Sequence, residues 1–342
     1  MIYKNTEIHN AEELYDCGGG VSWLRVPRSV YDALEHGDQA RNMAKCSTGV
    51  EIRFVIKSGD SATIRMSKLT AADSTNVFHV FRGGIQGGWE DCELDKCVFD
   101  EPKDFVIKKS ANISKLRKMA EYYSDPWDPE VIRVIFDRGA YKITDIVGDV
   151  QPPRRESVPA GTVMFYGSSI THGSNSIDMS HSWPSLVGHA LKYDVLNKGF
   201  AGSCALEPQM IDYISESGKA GKWDACVMEL GINVLDWDKK KIYSRAENAL
   251  KTVALGNPAK KVFVISPFYC SNGFDGKKEA SVWRRALKEI SDELNLANLV
   301  YINGLDLLGD AEGLSADEVH PNIYGVYGIA ERLTEIMKRH LS

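Results

Sequence analysis

Residues 162–173 read Thr-Val-Met-Phe-Tyr-Gly-Ser-Ser-Ile-Thr-His-Gly, and they are the clearest indication of how the second half of the chain folds. Its first five residues are apolar or β-branched and predict a buried strand. Gly167 permits a tight turn directly after that strand, so the hydroxyl of a following serine should project at the edge of the sheet. This position suits a nucleophile, although a plain Ser/Gly/Thr loop at a helix start has the same composition.

Strand and helix patterns alternate from this point to the end of the chain. Further strand patterns lie at 194–197, 224–231, 261–266 and 298–302. Helical patterns lie at 182–192, 207–217, 239–255 and 277–296, and in a last helix around 326–337. Five strands that alternate with helices predict a parallel sheet with helices on both faces, over 161–342. In such sheets, ligands bind at the carboxyl ends of the strands.

Residues 1–150 have a different pattern. Apolar residues recur partly with period two at 50–56, 61–66, 76–81 and 131–136, and turn residues lie between these runs at 58–60, 83–84 and 137–139. Short strands separated by turn residues predict an all-β sandwich, or jelly roll, over 1–150. The segment 151–160, Gln-Pro-Pro-Arg-Arg-Glu-Ser-Val-Pro-Ala, is interpreted as a linker.

Composition excludes several classes of function. The chain has 342 residues with 41 basic and 47 acidic side chains, a net charge of −6, which gives no support for nucleic-acid binding. No apolar run approaches the roughly 20 residues that cross a bilayer. The N-terminus lacks the apolar core of a signal peptide, so a cytoplasmic protein is expected unless a leader has been removed. Seven cysteines without a CxxC or zinc spacing, and no HExxH, predict free thiols and no metal or cofactor.

Two further strand ends carry residues suited to catalysis. Residues 197–203, Asn-Lys-Gly-Phe-Ala-Gly-Ser, place Gly202 where a backbone N–H can approach a ligand closely, as an ordinary strand-to-helix turn also would. Asn233 follows the next strand and offers an amide donor, although a helix N-cap or an Asx turn would use the same residue.

An Asp-x-x-His sequence precedes the last helix. Asp317 can orient His320 within one turn of chain, and Pro321 keeps the histidine out of a regular helix. A solvent-exposed loop histidine is the alternative. A second Asp-x-x-His, formed by Asp178 and His181, lies soon after the first strand and is the less favoured catalytic pair.

Residues 161–327 contain four short motifs in the order Gly-x-Ser-x-Thr, Gly, Gly-x-Asn and Asp-x-x-His. Together they resemble the four motifs of the SGNH (GDSL-like) hydrolase superfamily. The β-sandwich in front is similar to that of two-domain GDSL-like esterases. These have an N-terminal jelly roll and include carbohydrate esterases that act on acetylated polysaccharides. The resemblance implies a flavodoxin-like catalytic domain and a serine hydrolase.

The resemblance also implies roles for particular residues. Ser169 would be the nucleophile, His320 the general base and Asp317 the group that orients it, which together form a catalytic triad. The backbone N–H groups of Ser169 and Gly202 and the side-chain amide of Asn233 would form the oxyanion hole.

Two departures from the family pattern stand out. The usual Gly-Asp-Ser is Gly-Ser-Ser at 167–169, and the usual Gly-x-Asn-Asp is Gly-Ile-Asn-Val at 231–234. Neither missing carboxylate is the nucleophile or the base, so catalysis remains possible. The first change leaves two serines as nucleophile candidates, and Ser169 is preferred to Ser168 because it is the third residue of Gly-x-Ser-x-Thr.

Five residues are weaker candidates for substrate binding. His172 and His181 follow the nucleophile and could line the cleft. Leu235 and Trp237, in the loop after Asn233, are expected to border an acyl pocket and restrict it to short chains, although Trp237 could equally be a packing residue. Trp89, in the glycine-rich loop 83–89, could stack on a sugar ring, pack at an interface or have no role.

The sequence thus predicts a serine esterase that removes a short acyl group, acetyl by family analogy, from a carbohydrate or another small hydroxylated molecule. One alternative is an acyltransferase that passes the same acyl group to an alcohol. The other is a carbohydrate-binding protein with an inactive hydrolase domain. Neither a nucleic-acid nor a membrane partner is expected.

Overall fold

The computed structural model describes residues 1–70, 76–92, 98–271 and 276–341. The chain forms two units, one of Met1–Arg28 and Ala44–Ala160 and the other of Ser29–Met43 and Gly161–Ser342. The second unit therefore includes a segment from the N-terminal part of the chain. Among the described residues, no helix is both long enough and apolar enough to span a membrane.

In the described part of the first unit, ten strands form an antiparallel sheet in which β3, β4, β10, β5, β9, β6 and β7 are successive neighbours, and β2 and β8 also pair with β5. The strands are β1 (Ile2–Tyr3), β2 (Thr6–His9), β3 (Glu13–Asp16), β4 (Val21–Leu24), β5 (Glu51–Leu69), β6 (Phe78–Arg82), β7 (Ile85–Gln86), β8 (Lys103–Lys108), β9 (Ile132–Phe136) and β10 (Ala140–Gln151). The described part of this unit is thus mainly antiparallel β-structure, in agreement with the strand patterns of 1–150.

The long strand β5 differs from the predicted pair of short strands. Residues 58–60, expected to be a turn, lie inside it, and Gly59 adopts a positive φ of 76°. The pairing of β5 with β10 shifts register on both sides of Asp149, which lies opposite Ser58. The turn-forming residues therefore produce an irregular, bulged stretch in a continuous ladder.

The first four helices in the chain are α1 (Arg28–Ala33), α2 (Gly37–Lys45), α3 (Trp89–Cys92) and α4 (Ile113–Tyr123). Helix α4 belongs to the first unit and was not predicted, because most of its surface is exposed and only Ala120 is buried. Most of α1 and α2 falls in the segment 29–43 of the second unit.

The second unit has the predicted three-layer α/β/α fold. Its parallel strands are β11 (Thr162–Gly167), β12 (Asp194–Gly199), β13 (Ala225–Glu229), β14 (Lys261–Ile265) and β15 (Leu299–Ile302), and their spatial order is β12-β11-β13-β14-β15. Its remaining helices are α5 (Ser169–His172), α6 (Trp183–Leu191), α7 (Pro208–Lys219), α8 (Lys239–Gly256), α9 (Gly276–Leu294), α10 (Gly304–Leu307) and α11 (Ile323–Leu341).

This strand order is flavodoxin-like, so the fold class expected from the sequence is confirmed. Alternate strand residues, such as Val163 and Phe165, pack in one core with the apolar faces of α6 and α11. Met164 and Met228 belong to the opposite face of the sheet and are also buried. The order reverses next to β11, which places the first loop of the sheet at the point where such folds bind ligands.

Candidate active site

The loop after β11 is held in a tight conformation. Gly167 ends the strand, and a Cβ atom at that position would lie 2.2 Å from Thr171 Oγ1. Ser168 is the N-cap of the short helix α5, and its Oγ accepts a hydrogen bond from the Ile170 N–H at 3.1 Å. Ser169 is the first residue of that helix and is 8% exposed. Ser169 therefore lies at the carboxyl edge of the sheet, in a loop whose backbone has little room to adopt another conformation.

A histidine and an aspartate from the far end of the chain meet this serine. His320 Nε2 lies 2.7 Å from Ser169 Oγ, and His320 Nδ1 lies 2.8 Å from Asp317 Oδ2. With a proton on Nδ1 donated to the carboxylate, Nε2 is free to accept the serine proton. This order of atoms is what nucleophilic catalysis by a serine requires.

Asp317 is itself fixed by several donors. Its Oδ1 accepts from the N–H groups of Val319 and His320 and from Ser315 Oγ, and Asn175 Nδ2 donates to its Oδ2 at 2.9 Å. Partial burial raises the pKa of Asp317, but the hydrogen bonds from the His320 and Val319 N–H groups outweigh this and hold the pKa well below its usual range. The aspartate is thus ionised at any pH at which the protein would be assayed.

Three potential donors lie near Ser169. The Ser169 N–H is at a helix N-terminus, where the helix itself provides no acceptor. Gly202 is the third residue of a turn closed by a hydrogen bond from the Ser203 N–H to Phe200 O at 3.1 Å, and its φ of 66° suits a type II turn. Asn233 Oδ1 accepts from the Cys204 N–H at 3.1 Å, so the amide NH₂ is the end left to donate.

These groups share one cavity of about 570 Å³ in the second unit. It is lined by Gln39, Ser169, Ser174, Ala201, Gly202, Ile232, Asn233, Leu235, Cys270, Asp317, Val319 and His320. The serine, the histidine and the donors thus face one space that a substrate can enter, and its other walls are mostly small or apolar.

The remaining sequence candidates lie elsewhere. His172 is fully buried, with Nδ1 3.2 Å from Gly199 O. His181 Nδ1 is 3.0 Å from both carboxylate oxygens of Asp178, so this second Asp-x-x-His is a separate pair. The Trp237 ring packs 6.1 Å from that of Trp283. Neither the two histidines nor Trp237 is among the residues that line the cavity.

Trp89 begins α3 in the first unit, where its side chain is 84% exposed.

Gln39 lines the cavity although nothing in its sequence context indicated this. It lies on α2, and its Nε2 donates to Ala201 O at 3.0 Å, directly before Gly202. Glu35, in the same segment, forms a two-pronged ion pair with Arg245, whose guanidinium also donates to Leu206 O. These contacts fasten the segment 29–43 next to the loop that carries Gly202.

Glu229, at the end of β13, is a second residue that the sequence reading did not single out. Its side chain is fully buried, and its Oε2 accepts from Ser168 N–H and Oγ and from Thr171 Oγ1. Burial raises the pKa of Glu229 to about 7, and the hydrogen bonds from Ser168 and Thr171 counteract this only in part. A carboxylate inside the apolar run Ala225–Leu230 was the available signal.

Across the described ranges, no group of three or more histidine, cysteine or acidic side chains is arranged to hold a metal ion.

One comparison with known proteins identifies a family. Residues 160–338, just over half of the chain, match the model of the GDSL-like Lipase/Acylhydrolase family. No curated protein matches the sequence.

Several solved structures share the fold over nearly the whole chain. Salicylyl-acyltransferase SsfX3 from a tetracycline biosynthetic pathway has a TM-score of 0.76 at 15% identity, covering 98% of this chain and 95% of that one. A protein from Bacteroides ovatus described as a GDSL-like lipase has a TM-score of 0.68 at 16% identity, with 93% and 91% covered. A family two carbohydrate esterase from Cellvibrio japonicus has a TM-score of 0.63 at 10% identity, with 99% and 96% covered.

Proposed function

Because this chain belongs to the GDSL-like lipase/acylhydrolase family and is a serine hydrolase, we propose that it cleaves short-chain acyl esters with Ser169 as the nucleophile. The observation that carries the proposal is the continuous contact from Ser169 Oγ through the His320 ring to Asp317, with distances of 2.7 and 2.8 Å. The ester is proposed to be an acetyl ester of a carbohydrate or a similar hydroxylated molecule.

The proposed reaction has two steps. Ser169 Oγ attacks the ester carbonyl while His320 Nε2 takes its proton, and the imidazolium then protonates the leaving alcohol as the acyl–oxygen bond breaks. Water, activated by the same histidine, attacks the acyl-serine, which releases the carboxylic acid and restores the hydroxyl. Asp317 stabilises the imidazolium in both steps.

The negative oxygen that develops in each step needs donors placed beforehand. The N–H groups of Ser169 and Gly202 and the amide of Asn233 are proposed to supply them. Loss of one such donor typically costs on the order of 10²–10³ in rate. The hydrogen bond from the Cys204 N–H to Asn233 Oδ1 supports this role, since it turns the NH₂ group of that amide away from Cys204.

The side chains that line the cavity support the proposed restriction to short acyl groups. Ile232, Leu235 and Val319 border the space next to Ser169. Branched side chains at three places limit the room for a long acyl chain and favour an apolar methyl over a charged group. The carbohydrate alcohol is proposed by analogy with the carbohydrate esterase of similar fold.

Acyl transfer is the second candidate, because an alcohol can resolve the same acyl-serine in place of water. One structure of similar fold is a salicylyl-acyltransferase. A carbohydrate-binding protein with an inactive hydrolase domain is not favoured, because the serine, histidine and aspartate are in contact.

The test is a hydrolysis screen with p-nitrophenyl esters of increasing chain length and with acetylated sugars, with and without acceptor alcohols. Ser169→Ala and His320→Ala should each lower kcat by about 10⁶-fold, and the double variant by no more than either single one. Ser244→Ala, an exposed serine on α8, is the matched control. Acetylation of Ser169, detected by peptide mass spectrometry after mixing with substrate, would identify the attacking residue.

Activity retained by Ser169→Ala and lost in Ser168→Ala would assign the nucleophile to the neighbouring serine and refute the proposal. Products in which the acyl group appears on the added alcohol, at the expense of free acid, would favour the acyltransferase.

A further inference from the structure

We infer that Glu229 is a positioning residue for the reaction: its buried carboxylate holds Ser168, directly before the nucleophile, and Thr171, two residues after it, and so fixes Ser169 toward His320. The inference rests on the proposed role of Ser169. It assigns a task to a carboxyl group that never touches the substrate and lies behind the loop.

The contacts converge on one oxygen atom. Glu229 Oε2 accepts from the Ser168 N–H at 2.8 Å, from Ser168 Oγ at 2.6 Å and from Thr171 Oγ1 at 3.1 Å. The other oxygen, Oε1, has no hydrogen-bond partner in the part of the chain that the structure describes. One acceptor at the end of β13 therefore satisfies three donors on both sides of Ser169.

The direction of these bonds follows from proton counting. Ser168 has a single hydroxyl proton, and its Oγ already accepts from the Ile170 N–H at 3.1 Å. When Glu229 is ionised it can only accept, so the hydroxyl proton points to Glu229, which gives a chain from the carboxylate through Ser168 to the first turn of α5. Replacing Ser168 by alanine would remove the link to Ile170 while leaving the backbone contact to Glu229.

Space around the carboxylate is filled. A Cβ atom at Gly167 would lie 2.7 Å from Glu229 Oε2 and 2.2 Å from Thr171 Oγ1. The loop can therefore close over Glu229 only with glycine at this place. A tightly closed loop matters because a displacement of about 1 Å between reacting groups can cost about 10²-fold in rate.

Burial of the Glu229 carboxylate costs free energy. Transfer of a charged group into an apolar interior is unfavourable unless hydrogen bonds compensate for it. The side chain of Glu229 is itself fully buried at the end of β13, and the neighbouring residues Met228 and Leu230 are fully buried too. Its presence where three loop donors converge indicates that its task is to fix the loop.

The family pattern has an aspartate between the glycine and the serine, and this chain has Ser168 there. A hydroxyl alone could not gather three donors. Glu229 behind it provides an acceptor on the neighbouring strand for all three donors, which accounts for a closed nucleophile loop in a chain without that aspartate.

The test measures kcat and KM per active site for p-nitrophenyl acetate, with active sites titrated by a fluorophosphonate that labels Ser169. Glu229→Ala should lower kcat by about 10²-fold and leave KM within about twofold, because the substrate pocket is untouched. Glu229→Gln keeps an amide oxygen that can accept from Ser168, so it should restore part of the lost kcat. The exposed Glu247→Gln is the matched control.

Coupling between the two side chains separates positioning from a general loss of stability. If Glu229 acts through Ser168, the double variant Glu229→Gln/Ser168→Ala should lose little more than the more impaired single variant. If Glu229→Ala does not fold, as judged by circular dichroism, this cycle still decides the question.

Two outcomes would overturn the inference. One is a kcat per titrated active site that equals the wild-type value in folded Glu229 variants. The other is a loss of kcat in the double variant Glu229→Gln/Ser168→Ala that equals the product of the losses in the two single variants. Both are distinct from failure of the proposed function, which would appear as activity of Ser169→Ala.

Discussion

Replacing Glu229 by glutamine should remove a pH dependence from the stability of the protein. Burial raises the pKa of Glu229 from an ordinary 4.5 to about 7 in the folded protein, despite the opposing hydrogen bonds from Ser168 and Thr171. In the unfolded chain the carboxyl regains contact with water and titrates at its ordinary value. Between these two values the unfolded chain is charged at this position while the folded protein is not.

The sign follows from the raised pKa. The protonated carboxyl supports folding fully below the unfolded pKa, and this support is lost as the pH rises through the folded pKa. A difference of about 2.5 pH units, at about 1.4 kcal/mol for each, corresponds to about 3 kcal/mol of unfolding free energy. About three quarters of that falls between about pH 5 and about pH 8.5.

The assay is urea unfolding followed by tryptophan fluorescence at these two pH values, for the wild type, Glu229→Gln and the exposed control Glu247→Gln. The free energy of unfolding of the wild type, taken relative to that of Glu229→Gln, should fall by between about 2 and 3 kcal/mol from the lower to the higher pH. The control should track the wild type. A difference between wild type and Glu229→Gln that stays constant within about 0.5 kcal/mol would refute the reasoning, since the buried carboxyl would then titrate as it does in water.

Three further predictions concern the site and its surroundings. Asp317→Asn should lower kcat by about 10⁴-fold, less than loss of His320, because the imidazole remains the base; steady-state kinetics that show equal losses would contradict this. Wild-type protein should prefer acetyl to decanoyl p-nitrophenyl esters, and Leu235→Ala should shift the preference toward longer chains; equal rates for both esters would argue against a restrictive pocket. A fragment of residues 161–342 should be poorly soluble or weakly active, because it lacks the segment 29–43 of the same unit; a monomeric fragment with full activity would show that the segment is dispensable.

Local patterns over 161–342 were enough to predict the parallel sheet with its helices in the second unit, and the family. Strands 162–166, 194–197 and 261–266 were predicted from apolar runs, and the structure has strands at these places. This succeeded because a buried parallel strand and an amphipathic helix have local signatures, with periods that depend only on nearby residues. The order of four short motifs along these elements indicated the GDSL-like family, which the match over 160–338 confirms.

Local patterns also explain where sequence reasoning failed. Residues 58–60 have turn-forming character, yet they lie within β5 because pairing with β10 continues on both sides of them. Helix α4 buries little apolar surface, so its pattern is weak. In both cases the outcome depends on partners distant in the chain.

Which of the candidate side chains meet was not predictable from local patterns and follows from the packing of distant elements. The motifs could name Ser169 and His320, but their contact joins residues 151 positions apart and depends on the strand order and on the loop before α11. No sequence pattern indicated that Gln39 would line the same cavity. The carboxylate of Glu229 stood out inside an apolar run, but the run did not show that it would lie beneath the serine loop. Such contacts are set by packing between elements, and packing depends on the whole set of strand registers and helix positions, which no single stretch of sequence contains.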